Sequence, residues 1–236
     1  YSPHFIIISN TDSIYFVNFL KIEIINKIQL KNEKISATFL STNDDILFVG
    51  TTKGNVYLIQ IEKDSFSLTK YAIFWNESCR GNAHLHPGGV IFLRTCAENI
   101  FLYIVFSNGI LVKWSLTEKV SEKIVNLCEK LFSCGMIDAN TIALGCSDSS
   151  IIIYELPNWS FSRKRISNDF TKSGIVWKIL AAFSEGFSGN SEMFLCFGGL
   201  AEFDNDGAGV CLFKNSQQII LSTDPVIGAI FYENKN

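Results

Sequence analysis

The chain lacks most of what would announce a chemistry. It has no excess of basic charge, because 20 Lys and Arg stand against 23 Asp and Glu for a net charge of −3 and a pI near 5.7. Binding to DNA or RNA by general phosphate neutralisation needs clustered cations, and no basic tail supplies them. Long apolar runs are missing too. "FIIIS" from Phe5 and "IFLYIVF" from Ile100 to Phe106 fall far short of the roughly 20 residues a membrane-crossing helix needs. No G-x-S-x-G, P-loop, H-E-x-x-H or dinucleotide fingerprint occurs, and "GNAHLHPGG" has glycines without a strand–helix context. With three histidines, two of them in one loop, the chain offers no nucleophile with a base in reach, so it does not read as an enzyme. No leader pattern of charged region, apolar stretch and small-residue cleavage site follows Tyr1, and the sequence reads as an internal piece of a longer polypeptide.

Seven cysteines are present, Cys79, Cys96, Cys128, Cys134, Cys146, Cys196 and Cys211, with no C-x-x-C pair among them. Their odd number and their place inside apolar runs point to reduced thiols behaving as small hydrophobes, and to a reducing, intracellular setting. The only grouping with ligand chemistry is Cys79, His84, His86 and Cys96, whose C-x4-H-x-H-x9-C spacing matches no familiar zinc site. "DNDGAG", Asp204 to Gly209, has Ala208 where a calcium loop needs an oxygen ligand and no closing Glu, so it reads as a solvated turn. No metal or cofactor is expected. "RKR", Arg163 to Arg165, could bind anionic lipid or act as a targeting signal, but three charges on an outer strand also keep a sheet edge from pairing.

What is abundant is the apolar fraction, 47%, and it is patterned. "LFVGTTKGNVYLIQIE" (Leu47 to Glu62) is two β-branched and aromatic runs around a polar glycine turn. The shape returns as "LYIVFSNGILVKWSL" (Leu102 to Leu116) and "IALGCSDSSIIIYEL" (Ile142 to Leu156), and a weaker version opens the chain from Phe5 to Leu20. These are hairpins. With Gly54, Gly109 and Ser149 in register, they recur at intervals of about 40 residues with insertions, as four short strands per unit require. An apolar strand precedes each hairpin ("ISATFLS", "GVIFLRT", "LFSCGMI", "GIVWKIL") and a more polar one follows ("EIINKIQL", "SLTKYAIF", "FSRKRIS"). That gradient from apolar inner strands to polar outer edges is what radial packing around a channel asks for. The fold class is therefore all-β, an incomplete arc of about five propeller blades. The blades fall near residues 4–30, 35–75, 89–127, 129–168 and 174–222, with the inner strand of a further one from 224. "TEKVSEKIVNLCEKLF" carries helix formers but takes an outer-strand and then an inner-strand place in the period. Repeat units bury their faces against neighbours, so the arc has two open ends, and exposed apolar blade faces there should drive association.

The units resemble degenerate WD repeats. Trp114 stands where the repeat places Trp, with Tyr154 and Ile59 at that place in other units; the following Asp is replaced by Ser115, Glu155 or Gln60, and the Gly-His dipeptide is absent. The hydrogen-bond network of standard repeats is thereby lost, leaving apolar packing to hold the units. More specifically, the chain resembles the lethal giant larvae and tomosyn (syntaxin-binding) family. The resemblance is carried by "LFVGTTKGNVYLIQIE", "YAIFWN" followed by "HPGGVIFL", "SNGILVKWSL", "FGGL" and "DPVIGAIF", and the "YAIFWN" to "HPG" junction leans towards tomosyn. The resemblance implies part of an N-terminal propeller in a non-enzymatic scaffold that regulates vesicle exocytosis by binding target-membrane SNAREs such as syntaxin. It implies Rab-type small GTPases or myosin as further partners, and a cytoplasmic location, peripheral at the plasma membrane or secretory vesicles. The alternative is an unrelated WD-repeat adaptor of a coat, nuclear-pore or ubiquitin-ligase complex. Loops on a rigid scaffold carry function, so the connections 76–88 and 201–208 are expected to share one face. The candidate contact residues are Asn76, Glu77, Arg80, Glu202, Asp204 and Asp206.

Overall fold

The computed structural model describes residues 4–8, 11–18, 20–41, 45–62, 65–80, 85–95, 100–138, 140–166, 174–181, 193–199, 209–214 and 217–222. It is all-β, built of antiparallel sheets of the propeller-blade type. The chain divides into two compact units, Tyr1–Cys128 and Glu129–Asn236.

The first unit holds three sheets. The first has the order β1 (His4–Ile8), β2 (Ser13–Asn18), β3 (Glu23–Gln29). The second runs β4 (Ile35–Ser41), β5 (Ile46–Thr51), β6 (Val56–Glu62), β7 (Ser65–Ile73). A single helical turn, α1 (Trp75–Ser78), then leads to the third sheet, β8 (Val90–Thr95), β9 (Phe101–Phe106), β10 (Ile110–Ser115), β11 (Val120–Asn126). The second unit repeats the plan with β12 (Leu131–Asp138), β13 (Thr141–Cys146), β14 (Ser150–Glu155), β15 (Ser160–Arg165), and with β16 (Val176–Ala181), β17 (Met193–Gly198), β18 (Val210–Lys214), β19 (Gln217–Ser222). Among the described residues α1 is the only helix, and no helix is long and apolar enough to cross a membrane.

Sequential strands pair with sequential neighbours throughout, so each sheet is a meander whose tight turns the sequence specifies. The three turn residues aligned from sequence share a left-handed backbone, with φ of 80° at Gly54, 82° at Gly109 and 61° at Ser149. Gly54 has a second reason to be glycine. A Cβ there would stand 2.9 Å from the Gly88 carbonyl and 3.2 Å from the Trp75 Cβ, so the turn is closed over by the loop above it.

Burial does not fall steadily from inner to outer strand, as the apolar gradient suggested. It peaks in the second strand of three of the four-stranded sheets, where β5, β13 and β17 are buried at every residue but the first, and in the third strand, β10, of the other, while the inner strand β4 alternates half-buried and exposed. In the second sheet the middle strands β5 and β6 have a sheet on both faces, which is why they read as continuous apolar runs. Leu47, Val49 and Ile59 face the first sheet, in a core with Ile14, Phe16 and Phe66. Their neighbours Phe48, Val56 and Leu58 face the third sheet, in a core with Val90, Leu102, Ile104 and Trp114. The outer strands β3 and β15 are largely exposed. In the second unit, Ala143, Ile151, Val176, Cys196, Cys211 and Phe213 form the core between its two sheets.

One junction occurs in both units. Every four-stranded sheet has a bulge near the start of its inner strand, between Ile35 and Ala37, Val90 and Phe92, Leu131 and Ser133, and Val176 and Lys178. In the first unit Ser36 Oγ donates to the Val90 carbonyl of the next sheet at 2.7 Å. In the second unit Ser133 Oγ donates to the Val176 carbonyl at 2.7 Å. Both contacts need a glycine at the same place in the adjacent strand. A Cβ on Gly50 would lie 2.5 Å from Val90 Cγ1, and one on Gly145 would lie 2.5 Å from the Val176 carbonyl oxygen. Glycine lets the inner strand of one sheet approach the backbone of its neighbour, and the serine hydroxyl donates to the carbonyl brought close there.

Candidate interaction surface

The residues at the WD-repeat tryptophan place are where the sequence puts them. Ile59, Trp114 and Tyr154 pair with Leu47, Leu102 and Ile142 in equivalent registers, and all three are buried. Phe213, opposite Phe194, fills the place in the last sheet, stacked on it with ring centroids 5.0 Å apart. The polar ends are satisfied in a non-standard way. Trp114 Nε1–H donates to Tyr71 Oη at 3.0 Å, across to β7 of the preceding sheet, and the Lys119 ammonium lies 4.7 Å from the Tyr71 ring centroid. Burial pushes the Tyr71 phenol pKa up, the Trp114 hydrogen bond lowers it, and the charge of Glu77 raises it. Hydrogen bonding between sheets thus supplements apolar packing, which the sequence had left to hold the units alone.

Of the candidate contact residues, Asn76, Glu77 and Arg80 are exposed, on and just after α1. The same turn is anchored by Ser78 and Cys79, both buried, with Cys79 in the core beside Ile110, Val112 and Trp114. The connection is therefore a wedge between the second and third sheets that offers its outer side to solvent. Glu202, Asp204 and Asp206, the 201–208 connection and the strand expected from 224 lie outside the described residues.

Cys79 and His86 do different work. Among the described residues the polar neighbour of the Cys79 thiol is the Ser78 hydroxyl, at 3.8 Å, and burial raises the thiol pKa. His86 is exposed, with its ring centroid 4.8 Å from that of Trp75. Gly88 N–H donates to His86 Nδ1 at 3.0 Å, which leaves Nε2 to donate to the Lys53 carbonyl at 3.1 Å. His84 and Cys96 lie outside the described residues, among which no His, Cys, Asp and Glu grouping could hold a metal. Arg163, of the basic triplet, bonds Glu129 at 2.8 Å and Asp148 at 2.7 Å while its Nε–H reaches Ser150 Oγ at 2.9 Å.

The sequence did not reveal the network beneath these loops. The Glu33 carboxylate accepts from Thr51 Oγ1 at 2.7 Å, Asn55 Nδ2 at 3.0 Å and Tyr57 Oη at 2.8 Å. Asn55 Oδ1 in turn accepts from Trp75 N–H at 3.2 Å. Thr52 N–H donates to the Lys34 carbonyl at 2.9 Å, and Asn108 holds the carbonyls of His86 and Pro87 at 3.0 Å each. Burial, with the hydrogen bond and charge of Glu33 adding to it, pushes the Tyr57 phenol up to about 12. Five loop segments, 30–34, 51–55, 74–75, 86–89 and 107–109, are thereby tied into one surface of the first unit. The Glu33 carboxylate, the Thr51 and Tyr57 hydroxyls and the His86 imidazole are engaged in holding loops together.

No family model matches the chain. It is similar to the Lethal(2) giant larvae protein of Drosophila pseudoobscura pseudoobscura, 28% identical over 97 residues, which is 39% of this chain and 8% of that protein. The match is thus partial on both sides, and it associates these propeller-type sheets with a distant lethal giant larvae protein.

Proposed function

We propose that the chain is part of a non-enzymatic WD-type scaffold that regulates vesicle exocytosis by holding target-membrane SNAREs of the syntaxin kind. The observation that carries the reading is the combination of rigid propeller-type sheets, whose polar loop groups are spent on structure, with similarity to a lethal giant larvae protein. Loops on a rigid scaffold present the residues that bind, and the support for binding here is that the polar loop groups are taken up in structure. On this reading the protein works in the cytoplasm, peripheral to the plasma membrane or secretory vesicles, and a Rab-type GTPase or myosin is a further partner.

The chain does not enter a SNARE bundle itself. A SNARE helix needs apolar a and d positions over several heptads, and the described residues are strands and turns. The test is a pull-down with purified syntaxin-type SNAREs, using this chain and the longer polypeptide that the scaffold reading calls for. The longer polypeptide should retain the SNARE, while this chain alone should form no SDS-resistant complex. Loss of SNARE binding by both would transfer the assignment to an adaptor of a coat, nuclear-pore or ubiquitin-ligase complex.

A further inference from the structure

We propose that the loop surface over the second and third sheets docks an acidic peptide segment bearing an apolar side chain. The first observation is charge. The chain is acidic overall, yet the loop segments 30–34, 51–55, 74–80, 85–89 and 107–109 carry Lys31, Lys34, Lys53 and Arg80 against Glu33 and Glu77. All four basic residues are exposed, and among the described residues none of them meets a carboxylate. With Glu33 turned inward on Thr51, Asn55 and Tyr57, the four cations against two carboxylates leave these segments with a net charge of 4 − 2 = +2.

The second observation is apolar exposure at the same place. Leu85 is 62% exposed and Phe74 43%, and each is the chain neighbour of a residue locked into the loop network, His86 and Trp75. The third is rigidity. Lys34 and Lys53 sit on segments joined by the Thr52-to-Lys34 hydrogen bond, and the Lys53 carbonyl is held by His86. Their spacing is set before a ligand arrives, which lowers the ordering cost of binding.

The surface favours a peptide over a lipid headgroup layer because Glu77 and the exposed amides of Asn76 and Asn108 stand among the cations. Glu77 repels any anion facing it, but a peptide can set an apolar residue or a backbone group opposite that carboxylate and the amides, which a uniformly anionic headgroup layer cannot do. The inference is independent of the SNARE reading, since an acidic peptide from any partner would fit.

The experiment is fluorescence anisotropy with a labelled peptide of alternating Asp, Glu and Leu, run beside its Lys-for-acid counterpart and phosphatidylserine-doped vesicles. The protein should bind the acidic peptide and not the basic one, with affinity falling as salt rises. Lys34→Glu with Lys53→Glu should weaken binding by about tenfold or more with unchanged melting, because both side chains are exposed. Leu85→Ser should weaken it independently. Unaltered affinity in the lysine double variant, equal binding of the basic peptide, or vesicle binding without peptide binding would each overturn the proposal.

Discussion

Replacing Gly145 by Ala tests how the sheets are held to one another. Gly145 lies in β13 opposite Ser133 and Ile151, and Val176, the first residue of the next inner strand, is fully buried against it. An alanine Cβ would meet the Ser133 hydroxyl, the Val176 carbonyl oxygen at 2.5 Å and Val176 Cγ1 at 2.9 Å. Two of these atoms make the Ser133-to-Val176 hydrogen bond, so β16 must move away and the bond is lost. Overpacking of this kind costs about 1–3 kcal/mol and the lost hydrogen bond about 1 kcal/mol, offset by about 0.5–1 kcal/mol because Ala restricts the unfolded chain more than Gly. A net loss of about 1–3 kcal/mol corresponds to roughly 3–10 °C in Tm for a chain of this size. The assay is thermal and urea unfolding followed by circular dichroism and by tryptophan fluorescence, with Trp177 next to the perturbed residue. Ser133→Ala removes one of the clashing atoms, so Gly145→Ala should cost less in that background by about 0.5–1.5 kcal/mol. Equal stability of wild type and Gly145→Ala, or strict additivity with Ser133→Ala, would refute the close-approach account.

Tyr71→Phe leaves the buried Trp114 Nε1–H without its acceptor, and should cost about 1–3 kcal/mol in urea unfolding; a neutral substitution would mean that the bond contributes nothing. Tyr57 has a pKa raised to about 12 by burial and by Glu33. Its folded value therefore exceeds its unfolded one, and the stability it contributes is intact below pH 10, declining as the pH rises through 12. Ultraviolet titration should place its phenol among the late-titrating ones, beside Tyr71 and Tyr154, whose pKa values burial also raises, and Glu33→Gln should bring it down. Ile22 and Ile24 are 88% and 62% exposed. Ile24 pairs with Val17 as Leu68 pairs with Ile59, which puts Ile22 at the place of Phe66, a residue buried against Phe16 at 5.4 Å. Such a face associates, so Ile22→Asp with Ile24→Lys should reduce concentration-dependent self-association in sedimentation velocity without lowering Tm.

The period, the hairpins and the strand types were legible because local sequence decides them. Gly54, Gly109 and Ser149 mark the turns, and apolar runs such as "ILFVGT" mark strands covered on both faces. The apolar gradient misleads about which strand is buried most, although the sequence does not hide it: in "ISATFLS" Ser36 and Thr38 alternate with Ile35, Ala37 and Phe39, as the exposed and half-buried positions of β4 do. What covers each face depends on neighbours the pattern does not identify. In the loop surface, exposed Asn76, Glu77 and Arg80 could be picked from a polar connection, whereas buried Ser78 and Cys79 in the same connection could not. The Glu33 network was invisible for a different reason. Glu33 is separated in sequence from Thr51, Asn55 and Tyr57, and only the folding of β5 and β6 back over the preceding loop brings a carboxylate to three side-chain donors. Gly50 and Gly145 read as ordinary strand glycines until the next inner strand is seen against them.

Hydrogen exchange followed along the chain by mass spectrometry tests the repeated-sheet account most directly, because exchange protection reports backbone hydrogen bonds sheltered from water. The account predicts one profile written repeatedly at intervals of about 40 residues: slow exchange in β5, β9, β13 and β17 and in the third strands paired with them, and fast exchange in the outer strands β3, β15 and β19. Outer strands protected as strongly as β5 and β13, or one protected stretch running uninterrupted through the turns at Gly54, Gly109 and Ser149, would contradict it.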